Sequence, residues 1–532
     1  MIDVLIIGAG PSGAAVAWKL SRENKDLKIV CLEQGGYVDP STYPSNSVNW
    51  ESAKYSSFSP DPNVRASAAD YPIDCDDSSI SIANYNAVGG SSILYSGHFP
   101  RFHPSDFRVR SLDGVADDWP ISYKELEPYY ELNDSIMGVA GLEGDPAYPP
   151  ISNLLPPVPL GRMGERLAEG FNKLGWHWWP SYAAIATRRY ANNRSACVNM
   201  GPCNLGCPLG AKASIDVTYW PLAIKNGVEI RTHSRVSRVA VDDQGAVCGV
   251  EYFDPDGVKR SLASKVVVMA CNGVGTPRIL LNSSSEKFPQ GLANSSGLVG
   301  KNLMLHPLGY AEGLFDEQLN SHLGPQGCSI YSHEFYETNQ ENNFFRGSTL
   351  HALRGPGPLE TAINGISRRE IKWGSSFYGD FDKRFGRTAN IAVIVEDLPE
   401  EHNSVQLSET LKDRNGIPAP KVNYKLSDNS KKILSHGLNS AKKVLEAAGA
   451  TKIYAFGPVR NTGWHLMGTA KMGEDSNRSV VNSYGQSHDH SNLFIADSSI
   501  FVTSGAVNPM STLQAVALRV ADGITDYLSH SK

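Results

Sequence analysis

The segment from Asp3 to Glu33 constrains the fold more than any other stretch of the chain. Asp3-Val-Leu-Ile-Ile-Gly8-Ala-Gly10-Pro-Ser-Gly13 reads as an apolar strand, a glycine turn and the start of a helix. Ile29-Val-Cys-Leu-Glu33 reads as a second strand ending in an acid. Gly8 allows the tight turn, Gly10 lets the backbone approach a pyrophosphate, and Gly13 lets the helix pack close to the strand. The pyrophosphate sits on the helix N-terminus, and Glu33 accepts hydrogen bonds from a ribose diol. Three glycines alone are a weak signal. Here strand, helix and acid fall in register, which a chance glycine cluster does not explain, and the unit predicts a Rossmann-like domain that binds an adenine dinucleotide.

A chain of 532 residues is too long for one core, so two or more domains are expected. The net charge of −6 gives no reason to expect nucleic acid or anionic membrane as a partner. No apolar run approaches the length needed to cross a bilayer, so no transmembrane segment is expected. The first strand begins at Asp3, which leaves no room for a signal peptide and predicts a cytoplasmic location; the alternative is the periplasm, reached with a co-exported partner subunit.

Residues 1–306 read as the dinucleotide-binding domain, 307–455 as an inserted substrate-binding domain, and 456–532 as a return to the first domain. Within the first, residues 37–85 form an irregular excursion rich in Ser, Pro, Asp and Asn that covers something, and 195–210 form a cysteine-bearing loop. A β-meander is expected over residues 227–271, its first strand Val228 to Thr232, with Val266 to Ala270 as a buried parallel strand. Helices are expected from Trp119 to Tyr130, near Lys431 to Ala448, and after Asn508, where Leu513, Val516, Ala517, Val520 and Ala521 share a face.

Two polar residues near the carboxyl end stand out: His465 in Gly463-Trp-His-Leu-Met-Gly468 and Asn508 in Gly505-Ala-Val-Asn-Pro-Met-Ser-Thr512. A histidine takes protons near neutral pH and an asparagine orients a hydroxyl. Taken alone, each has a plainer reading, as a satisfied core histidine and a turn.

Context weighs against the plainer readings. Ala87-Val-Gly-Gly-Ser, Pro100-Arg-Phe-His-Pro-Ser-Asp-Phe107, Asp118-Trp-Pro-Ile-Ser-Tyr123, Cys207-Pro-Leu-Gly-Ala, Asn294-Ser-Ser-Gly-Leu-Val-Gly-Lys-Asn-Leu-Met304, His465-Leu-Met-Gly and Asn508-Pro follow the opening unit in order. Together they resemble the glucose–methanol–choline (GMC) oxidoreductase family, in particular its bacterial branch of FAD-dependent glucose and gluconate dehydrogenase catalytic subunits, with pyranose oxidase more distant. The resemblance runs nearly end to end and is weakest over 307–455. It implies a Rossmann-like FAD-binding domain with an inserted α+β substrate domain carrying an antiparallel sheet. It also implies His465 as catalytic base and Asn508 as its partner, acting on an alcohol or sugar.

The same resemblance places Gly89, Gly90 and Ser91 against flavin and pyrophosphate, Val236 at the adenine, and Asp497 and Pro509 along the flavin; Pro11, Ser12, Gln34 and Ala270 complete the expected cofactor contacts. Ser511 and Thr512 open the last helix, so its positive end can face a reduced flavin. Some relatives attach FAD through a histidine just after the Val-Gly-Gly turn. This chain has Ile93-Leu94-Tyr95 there and His98 falls later, so a non-covalent flavin is expected.

Cys197, Cys203 and Cys207, bent by Gly201, Pro202, Gly206 and Pro208, are spaced to converge on one metal centre. Their spacing resembles that of a three-cysteine [3Fe–4S] site; a reduced structural loop, a disulfide and a zinc site lacking a visible fourth ligand stay open. The resemblance further implies a small chaperone-like subunit and a cytochrome or quinone acceptor as partners. The leading expectation is a dehydrogenase acting on a sugar, sugar acid or related alcohol. An oxygen-using oxidase and an inactive flavin-binding scaffold are the alternatives. The aromatic run Trp176 to Trp179 shapes either the substrate pocket or the core.

Overall fold

A computed structural model describes residues 1–325 and 329–530. Cys328 lies outside the described residues. The amino-terminal strand, Ile2–Ile7, lies between Ile29–Leu32 and Lys259–Met269 and runs parallel to both. Val4, Leu5 and Ile6 are fully buried, as expected where helices cover both faces of a parallel sheet. Glu229–Arg231 extends the sheet at one edge, and Leu493–Ile495 pairs in parallel with the end of Lys259–Met269.

The long strand Lys259–Met269 changes partners along its length. Its first half pairs antiparallel with Val247–Phe253, which pairs in turn with Arg235–Val241; its second half joins the parallel sheet. The expected meander is therefore three strands. Residues 228–232, expected as its first strand, belong to the parallel sheet, because Ile230 lies beside Cys31.

Helix Pro11–Glu23 begins directly after the glycine turn with Pro11 at its first position, where a missing N–H costs nothing. Helix Tyr123–Met137 is opened by a capping box between Ser122 and Glu125. The final helix, Met510–His530, packs on Pro11–Glu23 and buries Val516, Ala517, Val520 and Ala521.

The second layer is an antiparallel sheet in the order Lys452–Phe456, Leu308–Leu314, Thr388–Val395, Ser348–Leu353, Ile330–Ser332 and Trp179–Pro180. Helix Asp428–Ala448 packs across one face of it. Two departures from the 307–455 boundary have clear causes. Helix Gly161–Leu174 buries Leu167 and Phe171 in this second core, so residues well before 307 complete it. Conversely, the hairpin Ser404–Lys412/Pro418–Asn423 leaves the sheet and packs on helix Asn272–Asn282, sharing a core with Tyr71, Ile73 and Ile82 of the 37–85 excursion. Trp176 and Trp178 pack against the second core, which settles the aromatic run as packing. Among the described residues no helix is long and apolar enough to cross a membrane.

Candidate active site

Between the two sheets lies a cavity of about 380 Å³. Its first wall is the opening glycine turn. Gly8 has φ +104°, and a Cβ there would fall 2.5 Å from the Ala270 carbonyl oxygen, so no other residue fits. A Cβ on Gly13 would fall 2.1 Å from the Gly8 carbonyl oxygen, the close strand–helix approach the motif requires. At Gly10 a Cβ would meet nothing within 4 Å, which leaves open space beside the helix N-terminus. Gly90 seats against Gly10, and the Gly89 N–H donates to the Ala9 carbonyl at 2.9 Å, so the two glycine turns brace each other.

Of the expected cofactor residues, Gly8, Gly10, Pro11, Ser12, Glu33 and Gln34 line the cavity. So do Gly90, Ser91, Val236 and Ala270, and further along Asp497, Asn508 and Pro509. Three do not. Gly13 and Gly89 act behind the wall, through packing and turn geometry. Ser511 is fully buried, and its neighbour Thr512 faces inward to Tyr130, so Pro509, just before the helix, and Met510 and Leu513 on it line the cavity instead. Glu33 accepts from Ala9 N–H and Gly35 N–H, both at 2.8 Å, and burial raises its carboxyl pKa. Asp497 stitches Cys271 N–H, the Thr276 hydroxyl and Ser499 N–H together. The excursion 37–85 contributes Tyr71 and Tyr85 to the lining, which accounts for its covering role.

At the other end stand His465 and Asn508. His465 Nδ1 lies 2.8 Å from His306 Nδ1, and His306 Nε2 lies 2.7 Å from the Gly505 carbonyl and 3.1 Å from that of Ser504. A carbonyl only accepts, so His306 Nε2 carries a proton. Burial pushes His306 down to about 4, so the ring is neutral and its Nδ1 is a lone pair. His465 Nδ1 must then donate to it. Burial, reinforced by His306 and His98, holds His465 well below the usual histidine range, which leaves its Nε2 as a free lone pair. The Asn508 side-chain amide is 3.5 Å from that nitrogen. The arrangement is a neutral imidazole held in one tautomer, the orientation device of a general base.

His306 escaped the sequence reading. It follows the motif ending at Met304 but has no periodic or spacing signal, and its left-handed backbone (φ +52°) shows only in three dimensions. His98, His351 and Asn204 also line the cavity without having been singled out as site residues. Trp176 to Trp179 do not line it.

The cysteine triplet is a correction. Among the described residues no group of three His, Cys, Asp or Glu side chains is placed to hold a metal ion, and Cys197, Cys203 and Cys207 form no disulfide. Cys197 Sγ accepts from Asn199 N–H at 3.4 Å, and burial pushes its thiol up to about 11. The loop is held otherwise: the buried Lys212 ammonium donates to the carbonyls of Cys203, Ile93 and Tyr95 at 2.7–2.8 Å. Among the described residues the three thiols are not brought together at one point.

A parallel sheet with open space at its first glycine turn, an antiparallel sheet facing it and a buried pair of imidazoles beside the cavity between them are the frame of a dinucleotide-binding oxidoreductase. The chain belongs to the GMC oxidoreductase family. The family's two models match residues 165–308 and 399–517, and a model described as an NAD(P)-binding Rossmann-like domain matches residues 6–71. The chain is 39% identical to 2-methyl-1,2-propanediol dehydrogenase of Mycolicibacterium austroafricanum, over 98% of this chain and 95% of that one. It is 31% identical to the fructose dehydrogenase large subunit of Gluconobacter japonicus, over 99% and 98%. It is 24% identical to the gluconate 2-dehydrogenase flavoprotein of Pantoea cypripedii, over 99% and 94%. Pyridoxine 4-oxidase from Mesorbium loti shares the fold, with a TM-score of 0.65 at 16% identity over 98% and 99% of the two chains. The family and its Rossmann-like domain imply FAD. The open space at Gly10 and the continuous lining from Glu33 to Pro509 fit that group.

Proposed function

We propose that the chain oxidises the CH–OH group of a sugar, sugar acid or related small alcohol and passes the electrons to an acceptor other than oxygen. The observation that carries this reading is the His306–His465 pair, which leaves an unprotonated imidazole nitrogen beside Asn508 in the cavity. FAD, which the Gly8–Gly10 turn, Glu33, Gly90 and Asp497 would hold along the cavity, would supply the two-electron acceptor for the carbinol hydride. His465 Nε2 receives the hydroxyl proton as the C–O bond becomes a carbonyl, and the Asn508 amide donates to the substrate oxygen and orients it. His306 acts through His465 alone, by fixing its tautomer.

The relatives named as dehydrogenases of a diol, of fructose and of gluconate support both the substrate class and the acceptor class. Leu94, buried in the cavity wall, supports a flavin held without a covalent bond.

The test is anaerobic mixing of the purified holoenzyme with polyols while the flavin absorption is followed. Bleaching by a polyol, slow reoxidation by oxygen and fast reoxidation by a quinone or dye are expected. Fast reoxidation with peroxide release would replace the dehydrogenase by an oxidase. No bleaching by any alcohol would overturn the reading. Acid precipitation should leave FAD in the supernatant.

A further inference from the structure

The wall of the cavity formed by the antiparallel sheet is mostly apolar, with Leu308, Leu353, Ala392 and Ile394 on it. His351, on the strand Ser348–Leu353, interrupts that wall. His98, delivered from the dinucleotide-binding side, meets it: His98 Nε2 lies 3.5 Å from His351 Nδ1, and the ring centres are 4.4 Å apart. Both imidazoles line the same cavity as His465, and both are almost completely buried. The remaining nitrogen of each, His98 Nδ1 and His351 Nε2, has no hydrogen-bond partner. The mechanism above uses neither ring.

Two buried, unpartnered polar atoms at one place call for a reason, since a buried donor or acceptor left without a partner destabilises the fold. Burial holds both rings neutral, His98 at about 4 and His351 well below the ordinary range. A neutral imidazole has one donor and one acceptor. If His98 Nε2 donates to His351 Nδ1, then His98 Nδ1 is a lone pair and His351 Nε2 carries a proton. If the bond runs the other way, the roles exchange. Either tautomer leaves the pair with one unused donor and one unused acceptor. A substrate hydroxyl both donates and accepts and so meets both needs at once, in the place of a water. A carboxylate satisfies only the donor, an ammonium only the acceptor, and a methyl neither.

We propose that His98 and His351 form a subsite for a second hydroxyl of the substrate, close to the carbinol that is oxidised at His465. The substrate class is then a short diol or the diol end of a polyol, and a simple monohydric alcohol is discriminated against. The proposal rests on the alcohol-oxidising reading above and adds to it which alcohols are preferred and by which residues.

The experiment compares 1,2-propanediol with 1-propanol on wild-type holoenzyme and on His98→Leu, His351→Leu and His351→Gln. Two quantities are read: the ratio of the second-order rates of anaerobic flavin reduction, and the ratio of the dissociation constants from perturbation of the oxidised flavin spectrum. Sites built to bond a hydroxyl reject analogues lacking it by factors of up to about 10⁴–10⁵. For this two-group subsite the diol should be favoured on the order of 100-fold in the wild type. Either leucine variant should bring the ratio to within about threefold of one. His351→Gln, which keeps a donor and an acceptor, should restore part of it. A merely structural role would lower both substrates alike and leave the ratio unchanged.

An unchanged ratio in both leucine variants, or a wild type with no preference in either readout, overturns the subsite. Flavin reduction by neither alcohol, in protein whose flavin dithionite still reduces, overturns the oxidoreductase reading instead. The binding ratio then still decides the subsite.

Discussion

At the scale of single residues, the site depends on where two protons sit. His306 is bonded to two carbonyls, and this alone fixes its tautomer, that of His465 and the lone pair that faces the cavity. Replacing His306 with Phe removes the acceptor for His465 Nδ1–H and lets the second ring adopt either tautomer. Flavin reduction should slow on the order of 10²-fold, at the lower end of what a misplaced base costs, with FAD still bound. An unchanged rate would remove His306 from the mechanism. The pH dependence has a definite sign. Because the His465 pKa is lowered, its basic form is fully present above pH 6.5 and persists below it; His306, at about 4, does not titrate in that window. Flavin reduction should therefore be flat from pH 8 to below pH 6.5 and fall only in stronger acid, whereas a solvated histidine base would lose activity near pH 6.5. His465 and Asn508 were legible in the sequence because each sits in a distinctive short motif. His306, His98 and His351 were not. Each lies far along the chain from its partner, and only the docking of the two sheets brings them together.

Elements that carry local signals were read well. The opening turn, the helix started by Ser122 and Glu125, and the apolar strand ending at Met269 have their causes in neighbouring residues, so the chain announces them. The cysteine loop shows where local reading ends. Three cysteines within eleven residues suggest convergence, yet in the fold Lys212, bonded to three carbonyls on two separated segments, ties the loop to residues 93–95. Cys197→Ser, Cys203→Ser and Cys207→Ser should each retain FAD and the wild-type rate of flavin reduction, without iron or sulfide in the purified protein. Stoichiometric iron lost in any one variant would restore the cluster. The segments that cross the 307–455 limits were hidden for the same reason. Helix Gly161–Leu174 has an ordinary amphipathic sequence, and nothing in it says which core its apolar face joins.

For the whole molecule, a buried cation joins the two layers. Arg346, 1% exposed, donates to Asp106 at 2.6 Å and to Glu396 at 3.1 Å, and reaches Asp113 and Glu337. Asp106 belongs to the dinucleotide-binding side and Glu396 directly follows a strand of the antiparallel sheet. Removing the guanidinium leaves two buried carboxyl groups without their cation. Arg346→Met should therefore destabilise the protein by about 3–5 kcal/mol, read as a fall in unfolding temperature of the holoenzyme, with partial recovery when Asp106→Asn and Glu396→Gln are added. A variant as stable as the wild type would show that the layers are held by apolar contact alone. The docking of those layers is what brings the histidine base opposite the dinucleotide cradle, and the account stands or falls on that base. The decisive measurement is the rate of anaerobic flavin reduction by a polyol in His465→Ala against the wild type, both loaded with FAD. The account predicts a slowing on the order of 10²–10⁴-fold with the flavin still bound and still reducible by dithionite. Reduction at the wild-type rate would contradict it.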